Sequence, residues 1–135
     1  MSTFTLVLQD ANGAETISDV TSFVGEDATG SFGILAGHAR MVTALVVGLA
    51  RFRRGDGWEY LALPGGVLRF DRNVLTLAAR HYLRSGDYLA ITSALRQQLL
   101  AEERELAQVK RSLREMEERL LTRLWQLERG GARMS

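Results

Sequence analysis

The feature that most limits what this chain can fold into is a change of hydrophobic period near residue 91. Before it, apolar and polar residues alternate in short runs broken by Gly, Asp and Asn. After it, residues 93–129 hold no glycine or proline over 37 positions. Alternation puts every second side chain on one face of a strand, whereas apolar residues three and four apart form one stripe on a helix. The chain therefore divides into a β body over 1–90 and a helical arm over 91–135. With 135 residues, one ordinary domain and an appendage fit, since a domain takes roughly 100 to 200 residues.

Within the body, Phe4, Leu6 and Leu8 alternate with Thr5, Val7 and Gln9, and the Asn12-Gly13 pair turns the chain into a strand over 15–20. Strands follow over 41–47 and from Leu49 to Arg53, and the Gly55-Asp56-Gly57 turn leads into 58–63. Two more strands, 67–70 and 74–78, flank the turn Asp71-Arg72-Asn73. Pro64, Gly65 and Gly66 mark a bend. About eight to ten such strands cannot lie flat in so short a body without long exposed edges, which predicts an antiparallel β-sandwich, mainly β plus α once the arm is added. A body this size buries only somewhat over ~60% of its unfolded surface, so docking onto partners is expected.

In the arm, Leu106, Val109, Leu113, Met116 and Leu120 step by three and four, and Leu124 and Leu127 continue the stripe. Ser93 is the expected N-cap and Gly130-Gly131 the expected stop. Unbroken, the helix is ~55 Å long at ~1.5 Å per residue. Pairs such as Arg111 with Glu115, Arg114 with Glu118 and Glu115 with Arg119 contribute only ~0.2 to 0.5 kcal/mol each. Burial of a large apolar side chain contributes ~1.5 to 3 kcal/mol, so the stripe decides what the arm does. Ser112-Leu113-Arg114-Glu115 has capping-box spacing, and a hinge over 110–112 would fold Leu95, Leu99 and Leu106 against Leu113, Met116 and Leu120. One long helix and a helical hairpin both remain open at this point.

The residues offer little chemistry. Cysteine is absent, which removes disulfides, thiolate metal sites and thiol nucleophiles together and is compatible with a reducing cytoplasm. The Gly25-Glu26-Asp27-Ala28-Thr29-Gly30 segment lacks the Lys and Ser or Thr of a phosphate-binding loop and reads as a surface loop. Gly30-Ser31-Phe32-Gly33 is too short for a nucleophile elbow and reads as a turn. His38 and His81 are the two histidines, too few for a metal centre, and His38 reads as a polar loop side chain open to a partner contact. Net charge is +1, with no basic field for nucleic acid. No cofactor, metal or catalytic residue is expected. The amino terminus shows no basic segment and apolar core of a signal peptide, and the longest apolar stretch, 41–50, falls far short of the ~20 residues that span a bilayer.

One segment is more specific. Gly33-Ile34-Leu35-Ala36-Gly37-His38-Ala39-Arg40-Met41, followed by Thr43-Ala44-Leu45, resembles the Gly-Ile-Leu-Pro-Gly-His-Ala-Pro segment of the epsilon subunit of F-type ATP synthases. Leu63-Pro64-Gly65-Gly66-Val67-Leu68 is similar to that family's Gly-Gly turn, and Asn73-Val74-Leu75-Thr76-Leu77-Ala78 to its last sandwich strand. The resemblance covers roughly residues 4–84.

That resemblance implies a non-catalytic subunit whose sandwich binds the gamma shaft and rests on the c-ring, with an arm that restrains ATP hydrolysis at the catalytic alpha/beta head. It implies a peripheral place on the cytoplasmic face of the inner membrane, reached only through the complex. Carried over by position, the loop Ser31, Phe32 and Gly33 would face the ring, and His38 and Thr43 would lie near gamma. Leu106, Val109, Leu113, Met116, Leu120 and Leu124 would form the regulatory face of the arm. Ala36 and Arg40 replace the family's two prolines, so that loop loses two rigid backbone positions. Ile91-Thr92-Ser93-Ala94-Leu95-Arg96-Gln97 lacks the Asp of the nucleotide motif and has Arg one place late, so an ATP-sensing arm is not implied. Such divergence points to an alternate, separately encoded F-type ATPase. Two other classes compete: a free-standing β adaptor that dimerises by coiled coil through Leu106 to Leu127, and a small-molecule-binding barrel.

Overall fold

The structure is a computed structural model and describes residues 2–134, with side chains described through Glu128. Nine strands precede one helix: β1 (Phe4–Asp10), β2 (Gly13–Asp27), β3 (Gly30–Leu35), β4 (Met41–Leu45), β5 (Gly48–Arg54), β6 (Gly57–Leu63), β7 (Gly66–Asp71), β8 (Val74–Ala78), β9 (Leu83–Ser85) and α1 (Tyr88–Met134). The helix stop expected at Gly130-Gly131 is not where the helix ends, because α1 continues to Met134. Residues 1–96 and 97–135 form two compact units.

The strands make a β-sandwich whose two layers share β2. One layer runs β4, β7, β8, β1 and the first half of β2; the other runs β3, the second half of β2, β5, β6 and β9. β2 changes layer at a double irregularity. Residues 18 and 19 together stand against Thr5 alone, one residue more than β1 supplies, because Leu6 pairs Ile17 while Phe4 pairs Val20, and a second shift against β5 falls between Val20 and Ser22. Asp19 takes a φ of 61° there, and paired bulges bend a strand sharply enough to leave one sheet for another. The pairings are antiparallel except β1 with β8, where Leu6 lies beside Leu75 and Leu8 beside Leu77 in parallel.

Alternation works as expected. Phe4, Leu6 and Leu8 are buried, as are Leu68 and Phe70 on β7 and Leu75 and Leu77 on β8. Phe23 and Phe52 meet across β2 and β5, and the Phe4 and Phe70 rings pack edge to face at 5.7 Å. These side chains fill the space between the layers. At one edge Arg84 joins them: its Nε donates to Glu59 Oε1 at 2.9 Å, it lies 3.5 Å from Glu15, and its guanidinium rests 5.5 Å over Phe52. Tyr82 donates to Glu15 Oε1 at 2.8 Å, and burial, then Glu15, push its phenol up to about 12.

Two further local expectations are corrected. Gly25 to Asp27 belong to β2 and Gly30 to Leu35 form β3, so the expected surface loop and following turn shrink to Ala28 and Thr29. The glycine has a packing cause: a Cβ on Gly25 would lie 3.0 Å from Phe23 and 3.1 Å from Phe32. The N-cap is Asp87 and not Ser93. Asp87 Oδ1 accepts from the amides of Leu89 at 3.0 Å and Ala90 at 3.2 Å, which satisfies donors that the first turn leaves unpaired. Ser93 lies one turn inside. Of the two forms left open for the arm, the structure has one helix, since α1 runs continuously through Ser112 to Glu115.

Candidate partner interface

The β2–β3 hairpin is held from below by one carboxylate. Asp27 Oδ1 accepts from the Thr29 amide at 2.9 Å and from the Thr29 hydroxyl, closing the two-residue turn as an Asx motif does. Asp27 Oδ2 accepts from Thr43 Oγ1 at 2.8 Å, and the Val46 amide donates to the Glu26 carbonyl at 3.0 Å. Thr29 first, then Thr43, hold the Asp27 carboxyl below the ordinary carboxylate range. The hairpin tip is thereby fixed to β4.

Seen on this frame, the residues singled out from sequence do not form one patch. Ser31 and Gly33 are exposed on the outer side of β3, while Phe32 between them turns inward and packs against the core. Thr43 also faces inward, opposite Leu68, with its hydroxyl committed to Asp27. The outward residues of β4 are Val42 and Ala44, which stand opposite Arg69 and Val67 on β7. Val42 is 63% exposed and Val67 54%. Between them and the outward Thr76, Val74 and Val7 lies the ion pair of Arg69 with Asp71 at 3.3 Å, so the face is mixed and is apolar at Val42 and Val67.

His38 lies at the opposite end of β3 from the hairpin tip. Its amide donates to the Leu35 carbonyl at 3.1 Å, its Nδ1 lies 2.7 Å from the Ala39 carbonyl, and its ring meets Phe70 edge to face at 5.9 Å. The side chain that braces this loop was not visible in the sequence. Asn73 Oδ1 accepts from the Gly37 amide at 3.0 Å, and its Nδ2 donates to the Thr3 carbonyl at 2.8 Å. Two contacts from one amide tie the loop that lacks the family's prolines to the amino-terminal strand. The positive φ values of Arg72 and Asn73, 51° and 63°, are those of a tight primed hairpin turn that asparagine tolerates well.

With this geometry in place, comparison with known proteins is decisive. Residues 3–85 match the family model described as ATP synthase, Delta/Epsilon chain, beta-sandwich domain. The chain belongs to this family. Over 81 residues it is 37% identical to "ATP synthase epsilon chain 2" of Cereibacter sphaeroides, covering 58% of this chain and 56% of that one. It is 38% identical over 71 residues to the ATP synthase epsilon chain of Prochloron didemni, covering 51% and 52%. The matches thus span about half the length of these curated relatives. Among solved structures, a chain of the Euglena gracilis mitochondrial ATP synthase, OSCP/F1/c-ring, shares the fold with a TM-score of 0.59 at 18% identity over 72% of this chain and 64% of that one. A chain of the Tetrahymena thermophila mitochondrial ATP synthase central stalk and c-ring gives 0.50 at 11% identity, covering 62% and 69%.

The arm is described by itself. Leu106, Val109, Leu113, Met116, Leu120 and Leu124 are each between 53% and 59% exposed, so the stripe read from the sequence is present and open. No helix of the described chain is long and apolar enough to cross a membrane.

Proposed function

We propose that this chain is a non-catalytic central-stalk subunit of an F-type ATP synthase or ATPase. It links the gamma shaft to the c-ring for proton- or sodium-coupled ATP synthesis and restrains ATP hydrolysis through its arm at the alpha/beta head. Membrane association comes only through the complex, on the cytoplasmic face. What supports this function most is the family match over residues 3–85, together with the exposed Val42 and Val67 on the outer side of β4 and β7. That face, carried by Val42 and Val67, is the surface offered to gamma. The hairpin tip with Ser31 and Gly33 lies at the end offered to the ring, and His38 at the other. The open stripe from Leu106 to Leu124 is the regulatory face.

The test is binding of the recombinant chain to gamma. The full chain and a form ending at Arg96 are expected to bind alike, while only the full chain lowers ATP hydrolysis by the assembled enzyme. Absence of gamma binding at micromolar concentration would remove the rotor assignment. Equal hydrolysis with both forms would remove the restraint but leave the linkage.

A further inference from the structure

The arm carries a pattern that an apolar stripe seeking any partner would not need. Leucine recurs at every seventh position, Leu99, Leu106, Leu113, Leu120 and Leu127, and α1 runs unbroken through all five. Three places after Leu106 and Leu113 stand Val109 and Met116; three places after Leu99 and Leu120 stand Glu102 and Arg123. A strict seven-residue repeat drifts around a straight helix and stays on one seam only when two helices wind about each other. Leu106, Val109, Leu113 and Met116 share one stripe of one continuous helix, so they cannot cover one another.

Glu102 and Arg123 decide what the seam meets. Both fall in line with Val109 and Met116 on the seam, and neither has an opposite charge one turn away. Around Glu102 the positions three and four away are Gln98, Leu99, Glu105 and Leu106; around Arg123 they are Arg119, Leu120, Gln126 and Leu127. Two parallel copies in register would set Glu102 against Glu102 and Arg123 against Arg123 at the seam. Two antiparallel copies centred on Arg111 set Leu106 against Met116 and Val109 against Leu113, and bring Glu102 of each copy to Arg123 of the second. The two then differ by three residues in level, ~4.5 Å along the axis, within reach of both side chains. On one flank Glu105 faces Arg119 of the second copy. The other flank is unfavourable, since Glu103 faces Glu117 there and Lys110 approaches its own symmetry mate. The seam charges settle the orientation because they lie nearest the apolar contact, where water screens them least.

We propose that the unassembled chain self-associates through the arm as an antiparallel two-helix coiled coil, its direction set by Glu102 and Arg123. This is separate from gamma binding, and the two are measured independently.

Sedimentation equilibrium of the full chain from micromolar to millimolar concentration tests it. A reversible dimer is expected. Glu102→Arg or Arg123→Glu alone should weaken it ~10-fold by replacing both attractive pairs with repulsive ones, and the double variant E102R/R123E should restore it. Far-UV circular dichroism establishes that each variant keeps its helix. A monomer at every concentration, as an intramolecular hairpin gives, overturns the proposal. So does a dimer indifferent to all three variants, the behaviour of parallel helices with like charges throughout, or one that the double reversal fails to restore.

Discussion

If the β4–β7 face carries the gamma contact, replacing its two open valines should weaken binding by a calculable amount. Val42 is 63% exposed and Val67 54%, so a partner can still cover a little over half of each. Full burial of a valine contributes ~1.5 to 3 kcal/mol, and the exposed parts of both together contribute ~2 to 3.5 kcal/mol. Val42→Ser with Val67→Ser should therefore raise the dissociation constant ~20- to 300-fold, the lower figure holding where the contact is partly wet. Titration calorimetry against recombinant gamma reads the change directly. Because neither side chain contributes to the core, the melting temperature should hold, with stability within about 0.5 kcal/mol of the parent. Leu35→Ser is the control: Leu35 is also 63% exposed, but lies on the outer side of the other layer. A loss under about threefold in the double variant with an unchanged melting temperature, or a larger loss from Leu35→Ser, would refute the placement.

Two further outcomes test the frame that carries this face. A Cβ on Gly66 would lie 2.8 Å from the Ala78 carbonyl, part of the paired strand, so Gly66→Ala should cost ~1 to 3 kcal/mol. At ~4 to 8 °C per kcal/mol for a body this size, thermal denaturation resolves that loss. Gly33→Ala, whose nearest neighbour would be 3.8 Å away, should leave stability within about 0.5 kcal/mol of the parent, and an equal loss at both sites would contradict the steric cause. Asp27 has a folded pKa below its ordinary 3.8. Its contribution to stability is accordingly present above that ordinary value and lost as pH falls through the lower folded one. Thr43→Val removes one donor and should move the carboxyl midpoint up toward 3.8 in an NMR titration; an unmoved midpoint would mean that the Thr43 hydroxyl does not hold it.

Where a fold is governed by a side-chain period, it could be read directly. Phe4, Leu6 and Leu8 enter the core because they share one face of a strand, and the arm is helical because nothing over 93–129 interrupts it. Errors arose where glycine serves packing. Gly25 reads as loop material in the sequence, but it is the residue whose missing side chain leaves room for two phenylalanine rings. Its neighbours therefore continue a strand, and β3 follows after two turn residues. The parallel pairing of β1 with β8 joins residues about 69 positions apart, and no local signal carries that information. The helix start moved from Ser93 to Asp87 because both are competent caps and only the end of β9 determines which is used.

The candidate surface was legible by position but not by face. Thr43 and Val42 are adjacent, and in a strand adjacency means opposite sides of the sheet. A resemblance that places a contact near residue 43 cannot say which neighbour points outward, and here the outward one is Val42 while Thr43 binds Asp27. The same displacement separates Phe32 from Ser31 and Gly33. Asn73 shows the other limit, because its two bonds reach residues 36 and 70 places away. Such a residue is chosen by the folded chain as a whole. In the arm, by contrast, a single helix fixes every side chain's face, so Glu102 and Arg123 can be located on the seam from spacing alone. The face that the arm offers is for this reason the part of the surface that the sequence specifies most completely.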